Sequence, residues 1–228
     1  MEDNTLLKSI ETYCKKDSNE ICPFSSQKCT KINRAEYGIC SFEHKGIKEV
    51  ICPNLFFKCK FLDFISNSVL KTPSYYCFKE VKVGSNFLDY LLIDKYDKTN
   101  YCAVELQALD TTGNYKWVFG VKTKPFCINW KTTKKTIVSQ IMEKQAILQK
   151  AGKAIVLVLQ DSLFDYIGFK KQVFDDNKLI HVLPIKYGGG VFDFLNICSY
   201  DLSDIEQIMS SDEEIDLEKV INRLLQLN

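Results

Sequence analysis

Two neighbouring stretches, Phe87–Ile93 and Tyr101–Ala108, are short apolar and aromatic runs broken by single polar residues and bounded by turn residues, which predicts β-strands. Tyr75–Val83 is a third strand candidate, joined to the next by the turn residues Gly84, Ser85 and Asn86. A turn over Asp94–Asn100 would fold the second and third of these strands into a hairpin. Asp110-Thr111-Thr112-Gly113 reads as the next turn, followed by an irregular stretch over 114–132. Ile137, Ile141, Met142 and Leu148 then share one broad face, which predicts a helix over Thr136–Ala151 stopped by Gly152. Ala154–Leu159 is a continuous apolar run, the pattern of a buried central strand with a parallel neighbour. A strand near His181–Ile185, a flexible loop at Gly188–Gly190 and an acidic helix near the C-terminus complete this half.

The first seventy residues read differently. Leu6, Leu7, Ile10 and Tyr13 carry helical spacing, so a short helix is predicted over 5–15. Residues 20–54 have few long apolar runs and predict a small loop-rich knot, and 55–70 predict a helix ending before Thr72-Pro73. The order strand, strand, strand, helix, strand predicts an α/β fold, a mixed β-sheet core flanked by helices. Residues 1–70 would form the N-terminal part and 71–228 the core.

The strand pattern places chemistry. Alternation sends Val104 and Leu106 into packing and turns Glu105 and Gln107 to the opposite face. Asp89, on the preceding strand, comes beside them across the hairpin. Asp is disfavoured in strands, and a buried Glu needs a partner or a metal. Two converging carboxylates suit a hard divalent cation such as Mg2+. Glu80 lies between Lys79 and Lys82, where a salt-bridged surface position is the plainer reading. Gln140 and Lys144 read as a solvated helix face, and Asp110 as a turn residue.

Four cysteines, Cys22, Cys29, Cys40 and Cys52, fall within the knot. Four thiolates in tetrahedral array suit structural zinc or a single iron, and a metal crosslink would stabilise loops that bury little surface of their own. The alternative is a set of separate buried thiols. Cys77, Cys102, Cys127 and Cys198 lie on or near apolar segments and read as inert, and neither His44 nor His181 sits in a nucleophile motif. The net charge of +1 hides an asymmetry: residues 114–153 hold nine Lys against one Glu, and 201–220 hold eight acids against one Lys. Trp117, Phe119, Phe126 and Trp130 interleave with the lysines, a composition suited to a polyanion. No run of about 18 apolar residues suggests a membrane span, and the first residues lack a secretory pattern, so a cytoplasmic protein is expected.

Several segments resemble the NotI-like restriction endonucleases, a branch of the PD-(D/E)xK nuclease superfamily. They are Cys22-Pro-Phe, Cys29-Thr-Lys, Gly38-Ile-Cys40-Ser, Ile51-Cys52-Pro and Phe87-Leu-Asp89-Tyr. Above all there is Ala103-Val-Glu105-Leu-Gln107-Ala-Leu-Asp110-Thr-Thr-Gly113. The resemblance covers residues 20 to 160. It implies a PD-(D/E)xK-like catalytic core and Mg2+-dependent, site-specific hydrolysis of double-stranded DNA, usually by a homodimer at a palindromic site. It also implies a four-cysteine iron site. By motif position, Asp89 and Glu105 would bind Mg2+, Gln107 would stand where most of the superfamily has lysine, and Glu80 would add a further acid. A catalytically inactive DNA-binding protein with the same fold and knot is the alternative, and a purely structural metal protein a third.

Overall fold

The computed structural model describes residues 10–15, 21–22, 37–44, 46–109, 111–112, 127–188 and 191–210. Within them the fold is mixed α/β, built on a seven-stranded mixed sheet flanked by helices.

Strands β4 (Tyr75–Val83), β5 (Asn86–Asp94) and β6 (Tyr101–Gln107) form an antiparallel meander. The turn between β5 and β6 is closed by Asp94, whose carboxylate accepts from the Tyr96 N–H and the Asn100 side chain. From β6 the chain crosses through helix α2 (Trp130–Gln149) to β9 (Ala154–Gln160), which lies parallel to β6. It then passes through α3 (Asp161–Ile167) to β10 (Ile180–Gly188), parallel to β9. Two short strands, β11 (Val191–Phe194) and β12 (Cys198–Tyr200), pair antiparallel with β10 before α4 (Leu202–Ser210). The apolar run at 154–159 is thus a central strand between two parallel neighbours, as its composition predicts.

Alternation on these strands separates two apolar layers. One face of the sheet, with Tyr90, Leu92, Val104 and Val158, packs on Leu55, Phe56, Phe61 and Ile65. The other, with Ala103, Ile155 and Leu157, packs on Ile137, Val138 and Ile141 of α2 and Leu163 of α3. No helix of the described residues is long and apolar enough to cross a membrane.

The N-terminal expectations change most. Residues 10–15, read as part of a helix, form strand β1 (Ile10–Lys15), antiparallel to β2 (Tyr37–His44). Ile10, Thr12 and Tyr13 favour extended backbone, and pairing with a strand over twenty residues away overrides helical spacing. β2 pairs in turn with β3 (Ile47–Val50), with Gly46 at φ +78° in the turn, so the expected knot contributes two strands to a three-stranded sheet. The helix expected over 55–70 is divided into a 3-10 turn at Pro53–Lys58, α1 (Phe61–Ile65) and a π turn at Ser66–Leu70, with extended backbone at Cys59 after the first of them. α2 starts six residues before the expected Thr136, because the Asn129 side chain caps it by accepting from the Thr132 N–H at 3.2 Å. Short pairs β7 (Thr111–Thr112) and β8 (Cys127–Ile128) close the segment between β6 and α2. Gly188 ends β10 in a hairpin to β11, and α4 lies within the acidic C-terminal stretch. Residues 5–9, Gly189, Gly190 and 211–228 lie outside the described residues.

Hydrogen bonds from several residues tie the N-terminal sheet to the core, two of them made by one glutamine. Gln160, buried at the end of β9, accepts from the Val50 N–H at 2.7 Å and donates to the Lys48 carbonyl. The Ser162 hydroxyl donates to Glu49 at 2.7 Å, and the Leu109 N–H to the Val50 carbonyl at 3.1 Å. β3 is thereby fixed against the ends of β6 and β9, the edge where the candidate residues sit.

Candidate functional site

The backbone ladder between β5 and β6 runs through the pair Tyr90–Val104 and ends there. Side chains take over at the next position. The Asp89 N–H donates to Glu105 Oε1 at 3.3 Å, and the Leu106 N–H donates to Asp89 Oδ2 at 2.9 Å. Each carboxylate thus satisfies a backbone donor of the opposite strand, which explains an aspartate in a strand interior. Asp89 and Glu105 thus lie beside each other across β5 and β6.

Helix α2 supplies the rest. Lys144 Nζ forms an ion pair with Glu105 Oε2, and Gln107 Nε2 donates to Gln140 Oε1 at 2.9 Å. The spacing that makes this possible is simple. Two strand residues advance about 6.6 Å, and four helical residues advance about 6 Å. A helix antiparallel to β6 therefore brings positions 144 and 140 over positions 105 and 107. Gln140 and Lys144 are not the solvated face expected of them. Lys144 is buried in the stripe formed by Ile137, Ile141 and Leu148. A lysine inside an apolar stripe is the signal that points to it, because burial of an ammonium requires a partner.

Glu105 is 3% exposed, and burial pushes its carboxyl up to about 7. The neighbouring Asp89 adds to the rise, and the Lys144 bond opposes it. The folded value lies above the unfolded one, so this group stabilises the fold fully below about pH 4.5 and loses that contribution as pH rises through about 7. Without divalent ions, urea stability of the wild type relative to Glu105→Gln should fall between pH 5 and pH 8.5. A difference independent of pH over that window would remove the assignment.

Two neighbouring carboxylates are the donor set that a hard divalent cation would meet here. Asp89 Oδ1 accepts no hydrogen bond from the described residues, and Glu105 lies beside it. Mg2+ commonly takes one or two carboxylates and completes its shell with water and phosphate. Among the described residues, which include Cys22, Cys40 and Cys52 of the expected four-cysteine site, no group of three or more His, Cys, Asp or Glu is placed to hold a metal. A cavity of about 230 Å3 opens beside Gln107, lined by Ile51, Pro53, Leu106, Thr133 and Thr136 among others.

Other candidates fall elsewhere. Glu80 lies on β4 in the register position across from Asp89, exposed and with φ +51°, and makes no ion pair among the described residues. Cys22, Cys40 and Cys52 are buried, and the Cys40 carbonyl accepts from the Ile51 and Cys52 N–H groups at 3.0 and 3.1 Å. Cys29 lies outside the described residues, as do Asp110, Lys116, Lys122 and Lys124. Of the remaining basic positions, Lys131 and Lys135 are exposed on the first turns of α2, whereas Lys134 is buried. Cys77, read as part of an apolar segment, is exposed, because its strand forms the edge of the sheet. Cys102 and Cys198 are buried. His181 is buried with Nδ1 2.9 Å from the Ser199 hydroxyl, which also accepts from the Asp175 N–H. Burial lowers its pKa to about 4, so it is a neutral core residue.

Comparison with family models and with curated proteins finds no match to this chain.

Proposed function

We propose that this protein is a Mg2+-dependent endonuclease of the type II restriction kind, with a PD-(D/E)xK-like core, acting on double-stranded DNA. The observation that carries the reading is the reciprocal bonding of Asp89 and Glu105 across β5 and β6, with one oxygen of Asp89 left unbonded by the described residues. The resemblance to the NotI-like enzymes, residue for residue at Asp89, Glu105 and Gln107, supports it. Bound there, Mg2+ polarises a phosphodiester and lowers the pKa of an attacking water.

The chain's own groups have distinct tasks. Asp89 and Glu105 hold the ion. Gln107 is uncharged and serves no base chemistry at neutral pH, but its amide orients a water or a phosphate oxygen. Gln140 fixes the rotation of that amide through their 2.9 Å bond. Lys131 and Lys135, with lysines of the preceding segment from Lys116 onward, would contact phosphates and set the register of the duplex. A palindromic site implies a homodimer. Cys22, Cys29, Cys40 and Cys52 belong to the same reading as a structural iron or zinc site that stiffens the N-terminal part. An iron form would colour the preparation and a zinc form would not.

The uncharged Gln107 and the ion-paired Glu105 also fit a DNA-binding protein without catalysis. A digest separates the two. Incubated with a supercoiled plasmid library and Mg2+, the protein should yield linear products whose sequenced ends share one short motif. Intact plasmid with and without Mg2+, alongside salt-dependent DNA affinity, would establish the inactive binder instead.

A further inference from the structure

On β6 the proposed site carries no cation of its own, since Gln107 is uncharged and bonded to Gln140. An ammonium nevertheless stands in the site, delivered by a different element. Lys144 comes from the middle of α2, its side chain 11% exposed, and its bond to Glu105 is the only ion pair made by either acid among the described residues. Its neighbours on that helix face are Ile137, Ile141 and Leu148. Nothing in the packing of α2 on the sheet requires a charge there, since replacing a buried ion pair by apolar residues is often neutral or stabilising.

The charges of the site balance only when Lys144 is counted. Asp89, Glu105 and Lys144 together carry one net negative charge. A divalent cation turns that into one net positive charge, which matches a single phosphodiester. The same count without Lys144 leaves nothing for the phosphate beyond the ion itself. Geometry adds a constraint. Glu105 Oε1 is engaged by the Asp89 N–H and Oε2 by Lys144, so a cation entering between the two acids competes with the ammonium for Glu105.

We propose that Lys144 is the phosphate-contacting cation of this site: it neutralises Glu105 in the free protein and moves to a non-bridging phosphate oxygen of DNA once a divalent cation takes its place. The proposal rests on the nuclease reading for its second half and on the ion pair alone for its first. Lys144 is then a catalytic residue supplied by α2, and its exchange holds the free protein in a neutralised state until metal and DNA are both present.

Two measurements test the two halves. The first is Mn2+ binding without DNA, by electron paramagnetic resonance at one fixed pH for wild type and variant. Lys144→Met removes the competitor and should bind Mn2+ about tenfold more tightly, a change in the direction opposite to ordinary damage of a site. The second is single-turnover plasmid cleavage at saturating Mg2+. Lys144→Met should lose about 100-fold or more, and Lys144→Arg, which keeps the charge, should recover part of it. Lys144→Gln serves the same two assays if the methionine variant does not fold. Unchanged or weaker Mn2+ binding, or cleavage within about threefold of wild type, overturns the proposal. A wild type that shows the Mn2+ competition and cuts no DNA overturns the nuclease reading, and the phosphate half of the proposal with it.

Discussion

Glu105→Gln is expected to lower single-turnover cleavage of plasmid DNA by about a thousandfold or more, with specific DNA affinity measured in Ca2+ changed little. The substitution keeps the shape of the side chain and an oxygen for the Asp89 N–H, so the hairpin geometry survives. What it removes is the negative charge. A neutral amide is a poor ligand for Mg2+, and the remaining carboxylate, Asp89, already spends one oxygen on the Leu106 N–H. It also leaves the buried Lys144 ammonium without its charged partner. For that reason the double variant Glu105→Gln/Lys144→Met is the proper control for folding. It should recover stability and remain inactive. If Glu105→Gln cuts DNA within about tenfold of the wild-type rate, Glu105 is not the ion's ligand and the assignment of this site is lost.

How much of this site is legible from the residues follows from the range of the interactions. Glu105 and Gln107 are readable because strand alternation is local: two residues apart on β6 means the same face whatever packs there. Asp89 is readable because one hairpin turn joins its strand to β6. Lys144 is not, because its place depends on where α2 lands across the sheet, and periodicity alone makes a lysine a solvent-facing residue by default. The buried stripe running through Ile141 and Leu148 contains the clue, since Lys144 lies on that face and not opposite it. The same logic explains the N-terminal part. β1 pairs with β2 across more than twenty residues, and β3 docks on β9 over a hundred residues away. No local pattern encodes those partners, whereas the β6–α2–β9 unit is encoded by a helix-period run followed by a buried apolar one.

The docking of β3 makes the second large effect. Gln160→Met should destabilise the protein by about 2–4 kcal/mol in urea unfolding, because it deletes one buried and one partly buried hydrogen bond while keeping the side-chain volume. The Val50 N–H loses its acceptor and the Lys48 carbonyl loses the Gln160 donor, both on β3, an edge strand of the N-terminal sheet. Removing a partner from a buried polar group costs more than the bond itself contributes, which is why a single amide carries this much. Gln160→Glu is a sharper probe: a carboxylate accepts from the Val50 N–H but offers nothing to the Lys48 carbonyl, so this variant should recover only part of the loss. The effect reaches the site as well. Ile51 and Pro53, just beyond β3, line the cavity beside Gln107, so loosening β3 opens that wall. Limited proteolysis should then cut Gln160→Met first within 37–50, ahead of the core strands. Stability within about 0.5 kcal/mol of wild type, with proteolysis unchanged, would mean that apolar packing against Leu55 and Phe56, and not this glutamine, fixes the N-terminal sheet to the core.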